Sequence, residues 1–144
     1  MFDCVIRGGT VIDGTGAPAQ EMDVALKDGL VAAVGPKLGA GREEIDARGH
    51  LVTPGFVDIH THFDGQVTWD PFLSPSTGHG VTTVVMGNCG VGFAPVAPGG
   101  EKDLIELMEG VEDVPGTALY EGMPWGAWSS YPEYLDYLAT RVYA

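Results

Sequence analysis

The stretch Asp58-Ile59-His60-Thr61-His62 carries two imidazoles two residues apart. Side chains on a β-strand alternate between faces, so positions i, i+2 and i+4 share one face. Asp58, His60 and His62 are therefore expected to point the same way. Residues two apart sit roughly 7 Å from each other along a strand, and their rings can converge on one metal ion at ~2.0–2.1 Å per bond. The competing reading is two surface histidines at a strand end. Context favours the metal. The motif closes an apolar strand, follows the break Pro54-Gly55, and is trailed by a polar, turn-rich segment. Active sites gather where strands end.

The second feature is Gly87-Asn88-Cys89-Gly90, which follows another apolar run. A thiolate between glycines could bind metal at ~2.3 Å or act as a nucleophile. The alternative is a buried, inert thiol. With His60 and His62 on a neighbouring strand end, ligation is the better reading for Cys89, and sulfur with imidazole favours zinc over magnesium or calcium. The other candidates read as structural. Cys4 is expected to fill core, His79 to pack or cap, and His50 to support its strand. Asp64 and Asp70 cap turns or touch a ligand. Trp125, Trp128, Tyr131 and Tyr134 form a local hydrophobic anchor or line an acyl pocket.

Two sets of elements would have to position these groups. Residues 1–53 read as a small all-β domain, sandwich-like and composite in a longer protein. Its strands are expected at Cys4–Ile6, Val11–Ile12, Val24–Lys27, Leu30–Val34, Glu44–Asp46 and His50–Val52. Asp28-Gly29 between two apolar runs is a strong hairpin signal, because both residues tolerate positive φ. Residues 54–144 alternate strands and helices, which suggests a parallel α/β layout. Strands are expected at Phe56–His60 and Val81–Met86, with one helical turn before Gly80. A helix over Glu101–Met108 shows the apolar spacing of Leu104, Leu107 and Met108, and Gly110 is expected to stop it. Asp113–Ser130 reads as a long loop, and Tyr131–Tyr143 as a second helix with Pro132 in its first turn.

The chain has 144 residues and a net charge of −13 at pH 7. That charge argues against a nucleic-acid partner and against an anionic membrane surface. No run of ~20 apolar residues is present to span a bilayer. The two cysteines, Cys4 and Cys89, make no disulfide framework. With no signal peptide legible at Met1-Phe2-Asp3-Cys4, a cytoplasmic setting is expected.

Together these motifs resemble the amidohydrolase superfamily. Its members open with a small β domain and enter a (β/α)8 barrel through a strand ending in His-x-His, here Thr53 through His62. Gly80-Val81-Thr82-Thr83-Val84-Val85-Met86-Gly87-Asn88-Cys89-Gly90 is similar to the D-aminoacylase branch, the N-acyl-D-amino-acid deacylases. Pro115 through Asp136 resembles a stretch of the longer members. The resemblance implies an α/β fold: a small β domain followed by the first β/α units of a metal-dependent hydrolase barrel. It implies His60, His62 and Cys89 as ligands of Zn²⁺, and an N-acyl amino acid as small-molecule substrate. It also implies that the remaining histidine ligands and the aspartate acting as general base come from later barrel strands.

A complete barrel takes about 250 residues, whereas about 90 follow the β unit here. The chain is therefore expected to be part of a barrel, inactive alone, needing the remaining barrel or an oligomer partner. Two other functions stay open. One is a different C–N hydrolase of the superfamily, dihydroorotase- or hydantoinase-like. The other is a non-catalytic subunit that binds metal or a partner.

Overall fold

A computed structural model describes residues 1–143. The chain forms two compact units, Met1–Pro54 and Gly55–Ala144. It is a mixed α/β protein.

The first unit holds five strands: β1 (Phe2–Val11), β2 (Gln20–Lys27), β3 (Leu30–Gly35), β4 (Gly41–Asp46) and β5 (Leu51–Val52). They form one sheet in the order β3-β2-β1-β4, with β5 also pairing β1. β1 is antiparallel to β2 and parallel to β4 and β5. Cys4–Ile6 and Val11 lie on a single strand rather than two. Gly8 and Gly9 allow this, because the register with β2 slips between Ile6 and Gly9 and Gly8 takes φ +62°. The hairpin β2–β3 turns on Asp28 and Gly29, at φ +53° and +76°. Val5, Val24, Ala25 and Ala47 are buried. Cys4 is only half-buried, because its neighbour Val5 takes the inward position. Asp23 is buried too. It accepts hydrogen bonds from the N–H of Gly8 (2.9 Å) and of Leu38 (3.0 Å) and pairs with Arg7 at 2.9 Å.

The second unit opens with β6 (Phe56–Thr61) and β7 (Val81–Met86), a parallel pair. Their connection carries no α-helix among the described residues. It is built from two 3-10 turns, Gln66–Thr68 and Thr77–His79. Pro71 and Pro75 explain this, since proline cannot donate to a helical ladder. Three helices follow: α1 (Glu101–Glu112), α2 (Gly116–Gly122) and α3 (Tyr131–Ala139).

Each helix corrects a boundary expected from the sequence. α1 runs through Gly110 and ends at Asp113, which takes the left-handed conformation at φ +54°. A mid-helix glycine costs only about 1 kcal/mol, so it does not stop a helix that Met108 anchors in the core. α2 occupies part of the expected loop, because Leu119 is 1% exposed and tertiary packing outweighs the poor local propensity. α3 stops at Ala139, where the Thr140 hydroxyl donates to the Tyr137 carbonyl (2.7 Å). Its start is a capping box. Ser130 accepts from the Glu133 N–H, and the Glu133 carboxylate accepts from the Ser130 N–H at 2.8 Å. Those bonds, with the Ser129 N–H first, hold the Glu133 carboxyl down to about 2.

The core of this unit gathers Val67, Phe93, Val96, Met108, Leu119, Met123, Trp128 and Tyr134. Polar atoms on the aromatics are satisfied inside it. The Trp128 indole donates to the Phe93 carbonyl (2.7 Å) and the Tyr134 hydroxyl to the Asp64 carbonyl (2.8 Å). The second bond ties α3 to the segment that leaves β6.

Candidate metal centre

β6 ends at Thr61, so His60 is its penultimate residue and His62 the first beyond it. Their rings stand 5.5 Å apart, tilted by 39°. Thr61, between them, faces inward, and its hydroxyl donates to the Val85 carbonyl of β7 (3.0 Å). That bond locks the exits of the two strands together. Beyond β7 the chain turns at Gly87, at φ +78°, a conformation glycine adopts without strain. Asn88 then donates from its amide to the Ile59 carbonyl of β6 (2.9 Å). The loop is pinned beside His60, and Cys89 comes next.

The result is a cluster. One ligand atom each from His60, His62 and Cys89 lies within 4.8 Å of the other two. Cys89 is exposed, which removes the reading of a buried, inert thiol. Atoms bound tetrahedrally to one zinc ion at ~2.0–2.3 Å stand about 3.3–3.8 Å apart, so side-chain rotations that draw the donors inward by about 1 Å bring this trio to that spacing. Two imidazoles and a thiol are a donor set suited to zinc.

The neighbouring residues divide clearly. Asp58 does not join the cluster, because its carboxylate accepts from the His60 backbone N–H (3.2 Å). His79 is exposed on its 3-10 turn rather than packed. His50 is also exposed, with its Nδ1 3.2 Å from the Arg48 carbonyl. Asp70 is a turn cap, accepting from the Phe72 N–H (2.9 Å), the Ser74 N–H (2.8 Å) and the Gln66 amide (2.9 Å). Asp64 is buried, and burial pushes its carboxyl above the usual range against the pull of its own and the Gly87 N–H. It borders a cavity of about 340 Å³ with Gly87, Gly90, Tyr131, Tyr134 and Leu135. Trp125, Trp128 and Tyr134 pack in or against the core as an anchor, while Tyr131 stays exposed.

One residue close to the cluster has no signal in the sequence. Glu112, the last residue of α1, places Oε2 3.2 Å from the His62 Nδ1. Its distance along the chain from His62, and the glycine expected to end the helix before it, hide it from any local pattern.

Known proteins with similar sequence and structure point one way. The model of the Amidohydrolase family matches residues 43–144. An N-acyl-D-aspartate deacylase of Alcaligenes xylosoxydans xylosoxydans is 46% identical over 96 residues, which are 66% of this chain and 19% of that protein. A solved structure of D-aminoacylase, described as having a binuclear metal centre, superposes with a TM-score of 0.75 and 37% identity. It is matched over 96% of this chain and 27% of its own. N-acyl-D-glutamate deacylase from Bordetella bronchiseptica, solved with zinc and a phosphonate inhibitor, gives a TM-score of 0.65 and 34% identity over the same shares. The chain thus spans about a fifth to a quarter of the length of the proteins it matches.

Proposed function

This chain belongs to the amidohydrolase family, and from that premise we propose that it supplies part of the metal centre of an enzyme that hydrolyses the amide bond of N-acyl-D-amino acids. The observation that carries the reading is the convergence of His60, His62 and Cys89 within 4.8 Å. The deacylase names of its relatives supply the substrate class and the D preference.

His60 and His62 would hold a zinc ion through neutral ring nitrogens, and Cys89 through its thiolate. Bound there, zinc supplies Lewis acidity toward the acyl carbonyl and toward an attacking water. The chain's own part is positional. Thr61 and Asn88 fasten β6, β7 and the Cys89 loop to one another, so the backbone carries the three donors to one place. Asp58 steadies the backbone at His60.

In this reading residues 1–53 belong to a composite β domain and residues 54–144 open a (β/α)8 barrel. The parallel β6–β7 pair, with its donors at or just past the C-terminal ends of both strands, supports that placement. The general base and remaining ligands come from later strands, so residues 1–144 by themselves hydrolyse no amide. The two free cysteines fit a cytoplasmic enzyme.

Metal analysis of the intact protein tests the assignment. Cys89→Ala should strip the tightly bound zinc and abolish release of amine from an N-acetyl-D-amino acid, with the L enantiomer inert in both proteins. A full zinc complement in Cys89→Ala would refute the ligand role. Equal turnover of both enantiomers would refute the D preference.

A further inference from the structure

The contact between α1 and the end of β6 carries a consequence for the metal centre. Glu112 is the last residue of α1, and its side chain is only 15% exposed. A carboxylate withdrawn from water needs a polar partner. Its Oε2 lies 3.2 Å from the Nδ1 of His62, whose side chain is 30% exposed. A histidine with Nδ1–H facing a carboxylate keeps its lone pair on the other ring nitrogen, Nε2. Fixing the proton on one nitrogen and the ring in one orientation is how a carboxylate behind a ligating histidine strengthens metal binding.

We propose that Glu112 is a positioning residue for the metal centre: it holds the His62 ring with Nδ1 protonated and Nε2 presented to the cation. This inference rests on the zinc reading above. The fold is arranged for it. α1 continues two residues past Gly110, and Asp113 ends it only after Glu112 has been brought into place. Met108, one turn earlier, is 1% exposed and anchors the helix in the core, so the carboxylate sits on a rigid element rather than a loop. Farther along, Gly116 donates its N–H to the Glu109 carboxylate (3.3 Å), which fastens the turn that follows α1.

The test is a double-mutant cycle on zinc affinity in the intact protein, read by competition with a chromophoric chelator. Glu112→Gln keeps shape and removes the charge. It should weaken zinc binding roughly 10–100-fold where His62 is present. In a His62→Ala background the same change should alter affinity less than about twofold, because its effect passes through that ring. An unchanged affinity in the first background, or an equal loss in both, overturns the proposal; an equal loss is what a merely structural role would produce. A second readout needs no variant. The ring nitrogen shifts of His62 in zinc-free protein at mildly alkaline pH should show the Nδ1–H tautomer, and an Nε2–H tautomer overturns the assignment. If the unaltered protein binds no zinc, the metal reading fails and this inference with it. Tight zinc with an indifferent Glu112 defeats the inference alone.

Discussion

Single residues in this protein do their work through backbone groups as often as through each other. Asp23 shows the pattern most clearly. The Gly8 N–H holds its carboxyl below the usual carboxylate range, against the opposing cost of burial, with further help from Arg7 and the Leu38 N–H. Arg7 in turn donates to the carbonyls of Leu38 and Gly39 and pairs with Glu44. A carboxyl whose folded pKa is depressed adds stability that is complete above its unfolded value of 3.8 and disappears as pH falls through the lower folded value. Asp23→Asn should therefore cost roughly 1.5–3 kcal/mol at neutral pH, as hydrogen bonds to a charged group do. It should also flatten the loss of stability between neutral pH and the acid range. Urea unfolding of both proteins across that range checks this, and parallel curves would show that Asp23 is no acid-labile support.

At the level of elements, the cluster depends on how closely β6 and β7 run. A Cβ built on Gly55, just ahead of β6, would stand 2.7 Å from the Cβ of Thr82 on β7. That is backbone-anchored contact, and no rotamer change relieves it. Gly55→Ala should separate the strand starts, cost about 1–3 kcal/mol of stability as overpacking does, and weaken zinc binding in step. Thermal unfolding together with zinc titration would measure both; a variant as stable as its parent would mean that the strands can part freely there. The helices were less legible than these strands. The capping box at Ser130 and Glu133 has a recognisable Ser-x-x-Glu spacing and marks where α3 begins. α2 has no such mark, because a seven-residue helix with a glycine at each end is held by Leu119 and its core contacts.

Across the whole molecule the telling feature is apolar surface on β6 and β7. Ile59 is 71% exposed and Val57 57% exposed, with Phe56 and Val85 also open. Parallel sheets are ordinarily covered on both faces, and an apolar face of this kind needs a cover. The deacylase and D-aminoacylase reported above are about three and a half times its length, which leaves room in them for the proposed barrel to supply that cover. Residues 1–144 prepared by themselves should therefore self-associate as concentration rises, with the charge of −13 slowing but not preventing it. Sedimentation velocity reads this directly, and a monomer throughout the micromolar range would show that the two-strand face tolerates water.

What the sequence alone determined is the chemistry available: two imidazoles with strand spacing, a thiol between glycines after a second strand, and the hairpin at Asp28-Gly29. These are local patterns, set by backbone geometry over a few residues. Only the tertiary structure decided that Cys89 is open and within 4.8 Å of both rings, and that Glu112 reaches His62. Each of those outcomes follows from parallel strand pairing or from where a helix ends against the core. Such contacts join residues tens of positions apart, and no repeat or spacing along a chain encodes them.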